Sequence, residues 1–277
     1  MKKTLIALAV AASAAVSGSV MAADWTEGQP GNISIGGEVT PTSVKWLWKT
    51  GEGLSSFRNT ADEIVNRRLS IRVPKDELFL AAKMSDGVKG VFTGKGLIPR
   101  VEMTSYDGST INPAFNFGRT MELPVKVKNS ADNTELGTLT VHLSYGAAVA
   151  TVIKGDDNAS AVSDIIAGSA GTVFEGLVQN NAETDKGIAF KWTGLTATDM
   201  ADVVSKLIPG QYVATSSVGF HNWNDISHGN YTSPDKASYL AYGAGVPAGS
   251  TLTLDLNKDV AGRLEWAAPV AITVTYS

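Results

Sequence analysis

The sequence predicts an all-β sandwich with a small helical insertion, and three observations carry that prediction. Segments that alternate apolar and polar residues with period two recur along the chain, as half-buried strands do. Glycine and proline punctuate the gaps, at Gly94-Lys95-Gly96, Pro99, Gly108, Gly118, Gly243, Gly245 and Gly249. Helical periodicity is local, two of its three instances falling between about 155 and 210. Many short strands with such turns belong to antiparallel sandwiches or barrels.

In chain order, Ala61 to Arg67, behind Asn59-Thr60, reads as a short helix. Leu69-Ser70-Ile71-Arg72-Val73 alternates and reads as a strand. Met121, Leu123, Val125 and Val127 share one side of the next, with Glu122, Lys126 and Lys128 opposite. Leu139, Val141 and Leu143 follow the turn-rich Asn129-Ser130-Ala131-Asp132-Asn133, making the two runs a hairpin. Ser160 to Ala167 reads as a helix with Val162, Ile165 and Ile166 on its apolar side. Met200, Val203, Val204 and Leu207 stand at i, i+3, i+4 and i+7 behind candidate caps at Thr196 or Thr198. Pro209-Gly210 ends that helix. Gly243-Ala244-Gly245-Val246-Pro247-Ala248 has the outline of a dinucleotide-binding motif. Pro247 and the alternating Leu252, Leu254 and Leu256 place a loop and strand where that motif needs a helix, so it reads as a turn. Val270, Ile272, Val274 and Tyr276 form the last strand.

The chain has 277 residues, no cysteine and a formal charge of −4. A mildly acidic chain lacks the basic stripe a nucleic-acid binder needs. Without cysteine there is no disulfide, thiolate metal site or cysteine nucleophile. Met1-Lys2-Lys3, the apolar stretch from Leu5 to about Val16, and the small residues to Ala22 are the three parts of a secretory signal peptide, residues 1–22. The apolar stretch is well short of the ~20 residues that span a bilayer. The expected mature protein is exported through the periplasm and begins at Ala23. In that oxidising compartment its stability has to come from core burial or from a partner.

After the polar stretch Ala23 to Gly31, the segment Asn32 to Val39 places Ile33, Ile35, Gly37 and Val39 on one side. Extended, its eight residues reach roughly 26 Å, the length of a sheet edge. Two readings fit. It is the first strand of the domain, which the alternation alone favours, or an arm that completes a neighbour's sheet by strand addition. In the second reading Gly37 sits where two backbones approach closely.

Three stretches are more specific: Ile33-Ser34-Ile35-Gly36-Gly37-Glu38-Val39, Lys45-Trp46-Leu47-Trp48-Lys49, and the ending Trp266-Ala267-Ala268-Pro269-Val270-Ala271-Ile272-Thr273-Val274-Thr275-Tyr276-Ser277. With the leader, Gly219-Phe220-His221-Asn222-Trp223 and Asn257 to Trp266, they resemble the kappa-class major-subunit adhesins of chaperone–usher fimbriae of enterotoxigenic enteric bacteria. The resemblance runs the full length. It implies an incomplete immunoglobulin-like sandwich whose missing strand is supplied first by a periplasmic chaperone and then by a neighbour. In that scheme residues 23–40 are the donor arm, with Ile33, Ile35, Gly37 and Val39 at the donor positions. Residues 41–277 are the sandwich, with an insertion at about 153–245. Val270, Ile272, Val274 and Tyr276 then form the strand that pairs with the chaperone. Identical subunits, an outer-membrane usher and a host glycan or glycoprotein complete the partners, and no cofactor is implied. One departure is Leu264, fourteen places from the end, where many smaller pilins carry glycine.

Catalytic patterns are weak. Gly-x-Ser-x-Gly, Walker-type and His-Glu-x-x-His patterns are missing from the sequence. His221, Asp225 and His228 read better as loop residues than as a metal site. Adjacent acids such as Asp156-Asp157 and Asp62-Glu63 read as solvated loop or helix-start residues. An exported carbohydrate-active or metal-dependent hydrolase is the rival from another class. An outer-membrane barrel needs longer, less interrupted strands. Between Lys186 and Tyr242, by contrast, aromatic rings lie among His, Asn, Asp and Ser, the mixture that stacks on a sugar and holds its hydroxyls. Phe220, Trp223 and Tyr231 are the candidate stacking residues, with His221, Asn222, Asp225 and Asn230 as polar partners. Taken singly, Trp192 and several tyrosines read better as core, whereas polar residues crowd each ring of the segment Phe220 to Tyr231.

Overall fold

A computed structural model describes residues 46–52, 54–55, 57–90, 98–167, 171–180, 182–215, 234–260 and 262–276, and the backbone of 220–222. Pro41–Ser277 folds as one compact unit. Its elements begin with β1 (Trp46–Thr50), β2 (Ile64–Val65), β3 (Arg68–Arg72), β4 (Glu77–Met84) and β5 (Val88–Lys89). There follow β6 (Pro99–Ser105), β7 (Ala114–Asn116), β8 (Thr120–Asn129), β9 (Glu135–Ile153), β10 (Asp156–Ala167) and β11 (Ala182–Glu183). Helices α1 (Lys186–Thr193) and α2 (Ala197–Leu207) precede β12 (Phe220–Asn222), β13 (Lys236–Val246), β14 (Thr251–Leu256), β15 (Trp266–Ala267) and β16 (Val270–Tyr276). The fold is all-β with a small helical insertion. Among the described residues α1 and α2 are the only α-helices, and neither is long and apolar enough to cross a membrane.

The 19-residue strand β9 organises the sheet. Its first half pairs with β8 on one edge and β14 on the other. Its second half pairs with β10 and β13 on the same two edges. The paths β13–β4–β1 and β14–β3–β2 complete the network. Strands β6 and β16 form a separate antiparallel pair. The alternation read in β8 is the observed one: Met121, Leu123, Val125 and Val127 are buried and the intervening residues are not. Burying side chains of this size is worth about 1.5–3 kcal/mol each.

On β9, Leu139, Val141, Leu143, Tyr145, Ala147 and Val149 share the core face. The opposite face changes character along the strand. Thr138, Thr140 and His142 are half-buried, whereas Gly146, Ala148, Ala150 and Val152 are fully buried beneath the helices. The helices approach because glycine lines their seat. A Cβ at Gly146 would stand 2.1 Å from the Asp185 carbonyl oxygen, and one at Gly245 2.5 Å from the Trp192 ring. The Gly243–Gly245 run is therefore not a turn but the interior of β13, and the turn lies beyond it, where Ser250 N–H donates to the Pro247 carbonyl.

Two expected helices are corrected. Ser160 to Ala167 belongs to strand β10. Val162, Ser163 and Ile165 are each 0% exposed, and a strand buried on both sides shows a near-continuous apolar run that mimics helical spacing. Ala61 to Arg67 begins as expected, with the Glu63 carboxylate accepting from Thr60 N–H at 3.2 Å, but lasts one 3₁₀ turn. Asn66 (φ 52°) and Arg67 (φ 63°) then make the two-residue turn of the β2–β3 hairpin. Helix α2 stands where its periodicity placed it, capped by Thr196. Helix α1 was not foreseen. Its signals were Asp185, whose carboxylate accepts from Gly187 and Ile188 N–H, and Gly194 in the left-handed conformation at its end.

Candidate functional site

The last strand leaves a bank of the fold open. β16 pairs with β6 along its whole length, from Val270 opposite Ser105 to Tyr276 opposite Pro99, and has no second partner among the described residues. Its sequence alternates as a strand between a core and solvent must: Val270, Ile272 and Val274 point inward, and Ala271, Thr273 and Thr275 are exposed. Yet the inward residues are only half-buried, unlike those of β8 and β14. β1 is likewise an edge strand, pairing with β4 among the described strands. Its inward residues Trp46 and Trp48 alternate with the exposed Leu47 and Lys49.

A cleft of about 740 Å³ lies between these two strands. Its floor is Val125, Leu139, Val141 and Leu252 from β8, β9 and β14, and its sides include Phe79, Leu264, Val270 and Ile272. Thr50, Gly51 and Leu54 share the cleft with Val270 and Ile272, whereas Trp48 meets the far end of β16. There the Trp48 indole N–H donates to the Tyr276 hydroxyl at 2.9 Å. The two strands therefore flank the cleft in opposite directions. The β6–β16 pair is tied to β8 by polar contacts as well as by burial. Lys126 N–H donates to Ser105 Oγ at 3.3 Å and Lys126 Nζ reaches Asp107 at 2.5 Å. The hydrogen bonds from Lys126 and Ser109 hold the Asp107 carboxyl well below the usual carboxylate range.

Chemically this is an apolar slot bordered by two strand edges, the arrangement that accepts one more strand. Of the expected C-terminal strand residues, Val270 and Ile272 line the cleft, and Val274 and Tyr276 continue the same strand beyond it. The expected donor residues Ile33, Ile35, Gly37 and Val39 lie outside the described residues. Phe79 and Leu264 line the cleft although the sequence pattern did not single them out as site residues.

Of the expected receptor residues, Phe220, His221 and Asn222 form β12, whose backbone pairs in parallel with Asp164–Ile166 of β10. Trp223, Asp225, Asn230 and Tyr231 lie outside the described residues, as does His228. Other aromatics of the same stretch are structural. Trp192, Tyr239 and Tyr242 are buried. Trp192 donates to Ser144 Oγ at 3.1 Å, and the Tyr242 hydroxyl, its pKa pushed up by burial, donates to the Leu177 carbonyl at 3.1 Å. Tyr212 is 65% exposed.

Comparison with known proteins gives one consistent answer. The family described as "Fimbrial, major and minor subunit" matches residues 1–277. The F41 fimbrial protein of Escherichia coli is 71% identical over 277 residues, all of both chains. The K88 fimbrial proteins AD and AC of Escherichia coli are 29% and 28% identical, again over the full length of each.

Proposed function

The chain belongs to the family of fimbrial major and minor subunits, and we propose that it is the polymer-forming subunit of a surface fimbria, assembled by donor-strand exchange. The observation that carries this reading is the apolar cleft bordered by the edge strands β1 and β16. Its occupant is residues 33–39 of a second copy, whose apolar side (Ile33, Ile35, Gly37, Val39) matches a slot with an apolar floor. An unfilled slot of this kind is unfavourable in water and prone to aggregation, which gives a periplasmic chaperone its role before the neighbour arrives. A cleaved signal peptide and an outer-membrane usher complete the export route. Deleting residues 23–40 tests it: the variant still binds the chaperone but forms no polymer, and polymers from that variant would sink the reading.

We further propose that the same subunit attaches the fimbria to host glycans or glycoproteins, through a surface centred on Phe220, His221, Asn222, Trp223, Asp225, Asn230 and Tyr231. What supports it is the mixture of rings, amides and carboxylates there. Weak sites repeated along a polymer give tight attachment through avidity. Trp223→Ala lowers red-cell or epithelial binding while assembly proceeds; unchanged binding removes Trp223 from the surface.

A further inference from the structure

Phe117 is the most exposed large apolar side chain among the described residues, at 103% relative accessibility. It stands at the tip of the β7–β8 hairpin, and the tip is held rather than loose. Gly118 (φ 85°) and Arg119 (φ 61°) both take left-handed conformations, costly for a residue like arginine. The Arg119 carbonyl accepts from Tyr145 N–H at 3.0 Å, and its guanidinium pairs with Glu183 at 3.2 Å. Phe115, two residues earlier, packs edge-on against Tyr145 with centroids 5.5 Å apart. A fixed hairpin thus displays one apolar knob.

A second cleft, of about 750 Å³, lies elsewhere on the same chain. Its apolar lining includes Ile64, Leu69, Leu254, Leu256, Val260 and Trp266, and Arg58 and Arg263 lie at it too. It shares Phe57, Leu264 and Trp266 with the cleft between β1 and β16, so it is continuous with the proposed polymer contact. Knob and cleft sit toward opposite ends of the first half of β9. Thr120 beside the hairpin tip is opposite Ser144, and Leu256 of the cleft is opposite Gly137. Seven residues of strand separate them by roughly 23 Å. A knob at one end and a hole at the other make a head-to-tail contact, the kind that propagates as a filament wherever its rotation does not close a ring.

We infer that Phe117 of one copy seats in the Leu254–Leu256–Trp266 cleft of the next, a second subunit contact beside the donor strand. The inference rests on the polymerising role proposed above. Because the chain has no cysteine, a pair introduced into the full-length protein reports the contact without background. Fimbriae carrying both Asn116→Cys and Arg58→Cys give, on oxidation, a ladder of covalent oligomers that neither single variant gives. Phe117→Asp lowers the temperature at which fimbriae dissociate and leaves cell binding per fimbria unchanged. Intact fimbriae without a ladder overturn the contact. So does a ladder from Thr40→Cys with Arg58→Cys in place of the Asn116 pair, which assigns the cleft to the donor arm. Lost cell binding with unchanged dissociation also overturns it, making Phe117 a receptor residue. Fimbriae that persist without residues 23–40 but still ladder through Asn116 and Arg58 would refute the donor strand and leave the knob standing.

Discussion

Strand β9 passes through two environments, and the contrast separates a finished core from an unfinished one. In its second half, both faces are covered: Gly146, Ala148 and Ala150 lie under α1 and α2, and Tyr145, Ala147 and Val149 face the core. There Phe174 packs 5.4 Å from Tyr242 and 5.6 Å from Trp46. In its first half, one face is half-exposed. The other borders a cleft whose far side, Val270 and Ile272, is only half-buried. The same strand is thus covered on both faces beneath the helices and left open where it borders the cleft. The proposed donor-strand assembly uses both: one region that keeps its shape alone, and one that a neighbour closes.

The largest test of that contrast is Gly146→Val. The added side chain would overlap the Asp185 carbonyl and the Ala189 amide, both backbone atoms that cannot rotate away. A loss of about 3 kcal/mol or more is expected in urea unfolding, at or above the upper end for overpacked sites. Thr138→Val, on the same face in the open half, should change stability by about 0.5 kcal/mol or less. Equal losses from the two variants would erase the distinction between the halves.

A second test sharpens the other side. Ile272→Ala removes a half-buried side chain from the free subunit but a buried one once a strand fills the cleft. In a subunit lacking residues 23–40, the substitution costs about 1 kcal/mol without peptide. With a peptide spanning residues 32–40 bound, it costs about 2–4 kcal/mol. Thermal melts with and without the peptide make the comparison, and an unchanged cost on adding peptide would mean that the cleft is not the acceptor.

The open half was the more legible of the two in the sequence. β8 and β14 each have one buried face and β16 a half-buried one, so period-two alternation survives in Met121–Val127, Leu252–Leu256 and Val270–Tyr276. The covered half hides its periodicity. β10 is buried on both sides at Val162, Ser163 and Ile165, and its spacing passes for a helix. The glycines of β13 look like a turn until the Trp192 ring is seen lying on them. Helix α1 went unread although Asp185 and Gly194 mark both of its ends, because its eight residues are too few to show a helical period clearly. The proposed arm and most of the receptor stretch lie outside the described residues, and their assignment stays with the sequence pattern.

A smaller effect belongs to the hydrogen bond that spans the end of the cleft. Trp48→Phe and Tyr276→Phe each remove one partner of a 2.9 Å bond while keeping a ring. Each should cost about 0.5–1.5 kcal/mol, and the double variant should cost little more than either alone. Strict additivity would mean that the two strands are held apart and together by other contacts.

The smallest effect is also the one whose direction is most constrained. The β6–β16 pair is tethered to β8 partly by an exposed ion pair between Lys126 and Asp107. The Asp107 carboxyl is held low by its hydrogen bonds to Lys126 and Ser109. A carboxylate with a depressed folded-state pKa adds stability that is complete above its unfolded value of about 4 and is lost as pH falls toward the folded one. Asp107→Asn should therefore be slightly less stable than the parent near neutrality, and the gap should close as pH falls below about 4. Because the pair is exposed, added salt should shrink the gap too. In Tyr242→Phe, which removes a fully buried hydroxyl from the covered half, the loss should stay constant over the same range. A gap for Asp107→Asn that widened on acidification would reverse the sign and remove this pair from what holds the edge of the cleft.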